Sequence, residues 1–300
     1  MAHDKIVLVT FPADQGDIIK DFVEWHLDLG LDVILTEDLN SSDDTQEILD
    51  SFSETGRVDW FPTKVKDYKN CRPAESLAEL ARDRHGADWV IMCDVDEFLC
   101  PQGDDLRSIL QRAAAEDITA IRVDCFNMTG ALENEGRATE ARIWRIAQPI
   151  QESFEQQLSG QIPAPYIFIR HPPKTIVRMD AFLEYGWGSH DVKTSRGKTA
   201  EFSELKFHHF PIRGFETFQK KVQNVANFFE INKHYEDWWG WHWRRWIRLN
   251  EEGRLREEYE NQFLTPARAE ELIRDGTCVV DTTISNWVAN RSARPVTNQV

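Results

Sequence analysis

The first part of the chain alternates short apolar runs with stretches of helical periodicity. Residues 5–11 are a run of Ile, Val and Leu of the kind that fills a buried strand. Residues 17–29 set Ile18, Phe22, Trp25/His26 and Leu29 at helical spacing, and Gly30 follows as a closing residue. A second strand is predicted over residues 32–36. Ser41-Ser42-Asp43-Asp44-Thr45 then offers an N-cap to a short helix carrying Ile48 and Leu49. Residues 57–61 read as a third strand, 73–85 as a helix and 89–93 as a fourth strand. Strand and helix in strict alternation predict an α/β fold with a mainly parallel, Rossmann-like sheet flanked by helices.

Beyond Asp96 the alternation loosens. A helix is predicted over 104–115, strands over 118–126 and 141–146, and loops covering one face over 148–173. Late strands follow at 175–179 and 205–210. Residues 214–233 form an amphipathic helix with Phe215, Phe218, Val222 and Val225 on one face. A Trp-dense segment and a mixed-charge helical tail end the chain. The expected organisation is one domain over 1–235 with a helical C-terminal extension over 236–300 packed on it.

Composition narrows the classes. With 35 Lys+Arg against 51 Asp+Glu the net charge is −16, a field that repels phosphate backbones, so nucleic acid is not an expected partner. No run of 18 apolar residues is present, so no transmembrane segment is expected. The first residues lead straight into a strand pattern rather than a secretion signal. Five cysteines, at positions 71, 93, 100, 125 and 278, are odd in number and lack zinc-ligand spacing. They read as reduced, buried thiols and a cytoplasmic location. Gly16 stands alone after the first strand without a G-x-G-x-x-G loop, which disfavours NAD and FAD.

The most informative string is Trp89-Val90-Ile91-Met92-Cys93-Asp94-Val95-Asp96-Glu97-Phe98. Four apolar residues deliver the chain to a strand end, where ligands of open parallel sheets collect, and two carboxylates follow at i and i+2. Carboxylates suit hard divalent cations such as Mg²⁺ or Mn²⁺, completed by substrate phosphates. The alternative is an acidic surface turn.

At this point the sequence resembles a nucleotide-sugar glycosyltransferase of the GT-A fold, and within it a family 2-like branch carrying a D-x-D-E-F motif. Asp94-Val95-Asp96-Glu97-Phe98 matches that motif. The helix ending in His26-Leu27-Asp28-Leu29-Gly30 resembles the branch's first helix, with Asp21 and Phe22 in place of Glu and Trp. The 37–45 segment resembles its D-N-x-S-x-D-x-T loop, with Leu39 replacing Asn. His209-Phe210-Pro211-Ile212-Arg213-Gly214 through Lys221 resembles an H-Y/F-x-x-R-S-x-E-x-F-x-x-K segment, with Gly214 replacing Ser. The resemblance runs from about residue 5 to 225. It departs at Ala13-Asp14-Gln15, where the branch has Lys-Asn-Glu or Arg-Asn-Glu.

The resemblance implies a metal-dependent transferase of hexosyltransferase type, using Mn²⁺ or Mg²⁺ and a nucleoside diphosphate sugar, and inverting the anomeric centre onto a hydroxyl of a glycan or other acceptor. Asp96 would ligate the metal, with Asp94 holding the ribose or the metal through water. His190 and His209 are candidates for a further metal ligand. His208 and His209 face opposite sides of a strand, so only one can point into the site. Thr10 and Phe11 would border the base, or be core. Asp38 would contact base or ribose, or organise a helix-entry turn. Asp43 and Thr45 would cap the following helix rather than touch ligand. Arg213 and Lys221 would meet phosphates, or pair with acids on their own helix. Asp191 is the first candidate for the base that deprotonates the acceptor, ahead of Glu184 and Asp180. Glu97 would act beside the metal or anchor the loop.

Trp239, Trp243 and Trp246 lie at i, i+4 and i+7, a core-facing stripe. Trp238 and Trp241 fall off it and are candidates for stacking on an acceptor. Arg244, Arg245 and Arg248 beside them are compatible with peripheral membrane contact. Two further readings stay open. One is another metal-dependent nucleotidyl or phosphoryl transferase; the other is a non-catalytic nucleotide- or carbohydrate-binding protein on the same fold. A haloacid-dehalogenase-type phosphatase is excluded, because it needs D-x-D-x-T after its first strand.

Overall fold

A computed structural model describes residues 3–65, 72–134, 136–152, 156, 164–186, 189–235 and 240–292. In chain order the elements open with β1 (Ile6–Thr10), α1 (Ile19–Asp28), β2 (Val33–Asp38), α2 (Thr45–Ser53), β3 (Val58–Pro62), α3 (Pro73–His85) and β4 (Trp89–Met92). Next come β5 (Glu97–Pro101), α4 (Leu106–Ala115), β6 (Ile118–Thr129), α5 (Ala138–Ala141), β7 (Trp144–Ile146), β8 (His171–Arg178), β9 (Phe182–Tyr185), β10 (Val192–Thr194) and β11 (Lys198–His209). The last are α6 (Phe215–Ile231), α7 (Trp241–Glu251), α8 (Leu255–Glu260), α9 (Pro266–Arg274), β12 (Cys278–Val280) and α10 (Thr283–Ser292). Two compact units share them. One comprises Met1–Cys125 and His171–His209; the other comprises Phe126–Arg170 and Phe210–Val300.

The expected α/β architecture is the one observed in the first unit. Its sheet runs β6-β8-β4-β1-β2-β3, and β1 pairs in parallel with both β2 and β4, with Val7 opposite Val33 and Val90. β3 extends the parallel half, while β8 and β6 add antiparallel strands beyond β4. All five residues of β1 and all four of β4 are buried. Strands covered on both faces read as unbroken apolar runs rather than as alternation, which is why these two were legible in the sequence. On one face Val7, Val9, Val33, Leu35, Val90 and Met92 pack with Leu77, Ala78 and Ala81 of α3. That helix starts with Pro73 at its first turn and stops at Gly86, whose φ of 66° makes a left-handed cap. On α1, Ile19, Phe22, Val23, Trp25 and His26 are buried.

Four strands have no counterpart in the predicted set: β5, β9, β10 and β12. The predicted strand over 141–146 is shorter, because α5 closes at Ala141 and β7 begins only at Trp144. The predicted loop over 148–173 contains a 3₁₀ turn at Tyr166–Phe168, and its end already belongs to β8. The buried Asn127 amide holds that turn by donating to the carbonyls of Ile167 and Ile169, at 3.0 and 3.1 Å.

The β10–β11 turn fixes one glycine. Gly197 has φ +77°, and a Cβ there would lie 2.4 Å from Thr119 Cγ2 and 2.9 Å from the Asp117 carbonyl oxygen. Gly197→Ala is therefore expected to cost about 2 kcal/mol, as a lowered urea midpoint at unchanged slope. An unchanged midpoint would mean the turn relaxes without strain.

In the second unit Met128 and Thr129 of β6 pair with β7, and β7 pairs with β12. Phe218 and Val222 of α6 pack with Trp246 and Leu249 of α7, Leu255 and Tyr259. Trp246 Nε1 donates to Glu258 Oε1 at 3.1 Å, which satisfies its one polar atom inside the core. Trp246 and Trp243 thus lie on the packed side, as the stripe predicted. Trp241 is buried too, so it offers no exposed face for stacking on an acceptor. Trp238 and Trp239 lie outside the described residues, as does Cys71. Among the described residues no helix is long and apolar enough to cross a membrane.

Candidate active site

β4 releases the chain at Met92, and a turn closed by the Glu97 N–H donating to the Asp94 carbonyl (3.0 Å) sends it into β5. β5 then pairs antiparallel with β11, placing Glu97 opposite His209 and Phe98 opposite His208. This register brings the carboxylate turn to an imidazole from late in the chain. His209 Nε2 lies 3.7 Å from Asp96 Oδ1, and both residues are buried. His208 is directed elsewhere, with its Nδ1 3.4 Å from Cys100 Sγ, as the opposite-face argument requires.

Glu97 has no exposed surface and anchors the turn. Its Oε2 accepts from the Asp94 N–H at 2.8 Å and lies 3.1 Å from Lys174 Nζ. Lys174, buried on β8, also donates to Asp94 Oδ2 at 2.8 Å. Burial opposes the ammonium charge, but Asp94 and Glu97 outweigh it and hold Lys174 well above its usual range. Burial pushes the Glu97 carboxyl up to about 8, against the pull of Lys174, with Asp94 and Asp96 adding repulsion. Asp94 is thus drawn toward a fixed internal cation, while Asp96 faces His209.

Two other side chains complete the cluster. His171 opens β8; its ring centroid is 4.3 Å from that of His209, and its Nε2 is 3.8 Å from Glu97 Oε1. Cys125, the cross-strand partner of His171, has its Sγ 3.8 Å from the same oxygen. Cys125, His171 and His209 each bring one ligand atom within 4.8 Å of the others. Spacing along the chain gave no zinc-type pattern for the cysteines. The described cysteines are free and buried, as that reading expected, and these three donors come from three different strands. His190 stands one step outward, its ring centroid 6.0 Å from that of His171 and its Nδ1 3.1 Å from the Pro173 carbonyl. Burial lowers His171 to about 4 and His190 to about 3, so both are neutral imidazoles near pH 7.

The ends of β1 and β2 are organised differently. The buried Asp38 accepts from the Ser41 hydroxyl at 2.5 Å, the Ser41 N–H at 2.9 Å and Gln46 Nε2 at 2.7 Å. It organises the entry to α2, one of the two roles left open for it. Asp43 Oδ1 accepts from the N–H and hydroxyl of Thr45, the first residue of α2, while the N-cap position itself falls on Asp44, which makes no side-chain cap bond. Asp14, at φ 51°, has Oδ1 accepting from the Ser42 N–H at 2.7 Å and the Asp43 N–H at 3.2 Å. The departing triplet Ala13-Asp14-Gln15 therefore fastens one loop to the next. Phe11 packs against the core cluster, and the buried Thr10 hydroxyl has no hydrogen-bond partner among the described residues.

Among the acids considered for proton transfer, Asp180 pairs with Arg196 at 2.6 Å and Glu184 with Arg72 at 2.9 Å, whereas Asp191 is exposed. In the second unit Arg213 is buried and its carbonyl accepts from Arg142 Nη2, while Lys221 Nζ lies 5.6 Å from the Trp243 ring centroid.

Similar solved structures include Staphylococcus aureus TarS 1-349 in complex with UDP-GlcNAc. It is 11% identical, with 96% of this chain and 92% of that chain covered and a TM-score of 0.37. For the longer S. aureus TarS the identity is 10%, the TM-score 0.37, and the match covers 74% of this chain but only 40% of that one. Glucosyl-3-phosphoglycerate synthase from Mycobacterium tuberculosis, in complex with Mn²⁺, uridine diphosphate and phosphoglyceric acid, is 16% identical, with 76% and 78% covered and a TM-score of 0.34. No curated protein sequence matches. The model of one protein family matches residues 7–239, from β1 through the carboxylate turn, Lys174 and His209. On that match the chain belongs to glycosyltransferase family 92.

Proposed function

We propose that this glycosyltransferase is metal-dependent and inverting, moving a hexosyl group from a nucleoside diphosphate sugar to a hydroxyl acceptor. The observation that carries the reading is the buried pair Asp96–His209, a carboxylate and an imidazole close enough to share one cation. Such an O/N donor set suits Mn²⁺. A divalent cation bound there supplies positive charge to the departing diphosphate. Lys174 fixes Asp94 and the Glu97 carboxyl, so the turn holds its shape through turnover. Thr10, with its unpaired hydroxyl, Phe11 and Asp38 border the nucleoside at the ends of β1 and β2.

The acceptor hydroxyl oxygen attacks the anomeric carbon, the bond from that carbon to the diphosphate oxygen breaks, and the hydroxyl proton passes to a carboxylate. Asp191 is the residue we assign to that proton. Glu97 is engaged by Lys174 and the Asp94 N–H with no exposed surface, which favours an anchoring role.

Thermal-shift measurements with UDP, GDP, CDP and dTDP, each with and without Mn²⁺, test this. One nucleotide is expected to raise Tm only with metal, and the rise should vanish in Asp96→Ala. No shift with any nucleotide would sink the reading. The self-fastened Ala13–Gln15 loop favours one competing reading, a binding protein without turnover. Nucleotide binding without Mn²⁺-dependent donor hydrolysis would select it.

A further inference from the structure

We propose that Cys125, His171 and His209 form a thiolate–imidazole metal centre that takes Zn²⁺, or another thiophilic first-row cation, in preference to Mn²⁺ or Mg²⁺. The centre shares His209 with the metal site proposed above and so deepens that reading and rests on it.

The placement comes from strand register, not from a loop. Cys125 of β6 and His171 of β8 are direct cross-strand partners. β11, which ends at His209, pairs with β6 as well as β5. Three adjacent backbones therefore aim three donors at one point, and ligand atoms within 4.8 Å of one another need only small side-chain rotations to meet a cation. In a tetrahedral site with bonds of about 2.0–2.3 Å the donors end up roughly 3.5 Å apart.

His171 is oriented for the task. Its Nδ1 lies 2.9 Å from the Pro172 carbonyl oxygen, which can only accept, so the ring proton sits on Nδ1 and the Nε2 lone pair is left for a ligand. A histidine that ligates through one nitrogen and donates its other N–H to a carbonyl is the usual arrangement around protein-bound metals. Glu97 Oε1, 3.8 Å from both Cys125 Sγ and His171 Nε2, stands where it can orient these two ligands. Three protein donors with a further position open is the pattern of a site that also binds substrate or water.

Donor chemistry decides the metal. A thiolate selects Zn²⁺ or Co²⁺ over Mg²⁺ and Mn²⁺, which prefer oxygen. Among the described residues no other group of three His, Cys, Asp or Glu side chains converges in this way.

Titration of the chelator-stripped full chain with Co²⁺ provides the test. One equivalent is expected to give a near-ultraviolet thiolate-to-cobalt charge-transfer band together with the visible bands of a tetrahedral ion. Zn²⁺ should displace it, and a hundredfold excess of Mn²⁺ should not. In Cys125→Ser the charge-transfer band should vanish, and Zn²⁺ affinity should fall by more than the roughly 10–100-fold that outer-shell changes cost. Should that variant fail to fold by circular dichroism, His171→Gln is measured in its place and is expected to show the same loss of affinity. Asp96→Ala should keep the band while losing the Mn²⁺-dependent nucleotide shift, which separates this centre from the nucleotide-linked site: a wild-type chain that shows the band but no shift with any nucleotide would overturn only the transferase mechanism. Cobalt bound without the charge-transfer band, or a spectrum unaltered in Cys125→Ser, would overturn the centre itself.

Discussion

Lys174→Met is expected to lower the stability of the first unit by about 3 kcal/mol at pH 7, the lower end of what breaking a buried ion pair costs. Methionine fills nearly the same volume, so the loss is electrostatic rather than steric. The two carboxylates left behind differ in their escape. The Asp94 side chain is 62% exposed and can turn to water, whereas Glu97 is completely buried and can only take up a proton. Its carboxyl is already pushed up to about 8, which keeps the cost at the low end.

Urea unfolding of Lys174→Met, Glu97→Gln and the double variant isolates the pair. A coupling of about 1 kcal/mol or more is expected between them. Coupling near zero would show that the ammonium acts on Asp94 alone. Because Glu97 accepts the Asp94 N–H, the same substitution should also loosen the turn that presents Asp96, seen as faster amide exchange at residues 94–97.

The second large effect is acid lability at His26, away from the carboxylate turn. This side chain is fully buried, with its Nδ1 2.9 Å from the Phe22 carbonyl and its Nε2 3.2 Å from the Leu99 N–H. A carbonyl only accepts and an amide N–H only donates, so both ring nitrogens are committed to the neutral tautomer. Protonation would set an N–H against the Leu99 N–H inside the core. Burial accordingly lowers the pKa from 6.5 to about 3.

The sign follows from linkage. Between the two values the unfolded chain binds the proton and the folded chain does not, so this contribution is fully present above pH 6.5 and is lost as the pH falls toward 3. The loss from pH 7 to pH 5 is about 2 kcal/mol. His26→Gln retains an acceptor for the Leu99 N–H but cannot titrate. Its unfolding free energy should therefore fall less than that of wild type over the same range, by that amount. Parallel pH dependences in the two proteins would refute the assignment. The effect reaches the site because Trp25 Nε1 donates to the Leu99 carbonyl at 2.8 Å, so α1 grips β5 from both sides of one residue.

What was legible in the sequence is what local pattern encodes. β1 and β4 are apolar throughout because both their faces are covered, and α3 carries its own start and stop in Pro73 and Gly86. The carboxylates at 94 and 96 stood out because an apolar run led straight into them. What escaped was long-range. β5 begins inside the motif, at Glu97, and presents only a few apolar residues before Pro101, too few to show a period. Lys174 and His171 look like loop residues in a Pro-rich stretch, since nothing nearby in sequence explains a buried charge; their partners are Asp94, Glu97 and His209. Cysteine spacing was silent on the Cys125–His171–His209 cluster for the same reason: donors drawn from three strands have no fixed interval along the chain. For Asp38 the turn-forming alternative is built into the structure, and local capping logic was enough to raise it.

The interleaving of the two units has a practical consequence for anyone dissecting this molecule. The segment Phe126–Arg170 leaves the first unit at the end of Cys125 and returns to it at His171, two of the three donors in the proposed centre. No contiguous fragment contains one unit alone. A fragment ending near residue 235 would strip Trp246, Leu249 and Tyr259 from Phe218 and Val222, exposing the apolar face of α6. A fragment starting after Cys125 would lack β1, β2 and β4 altogether. Cutting therefore yields aggregation-prone pieces rather than smaller working parts, and point substitution is the way to separate the contributions of the two units.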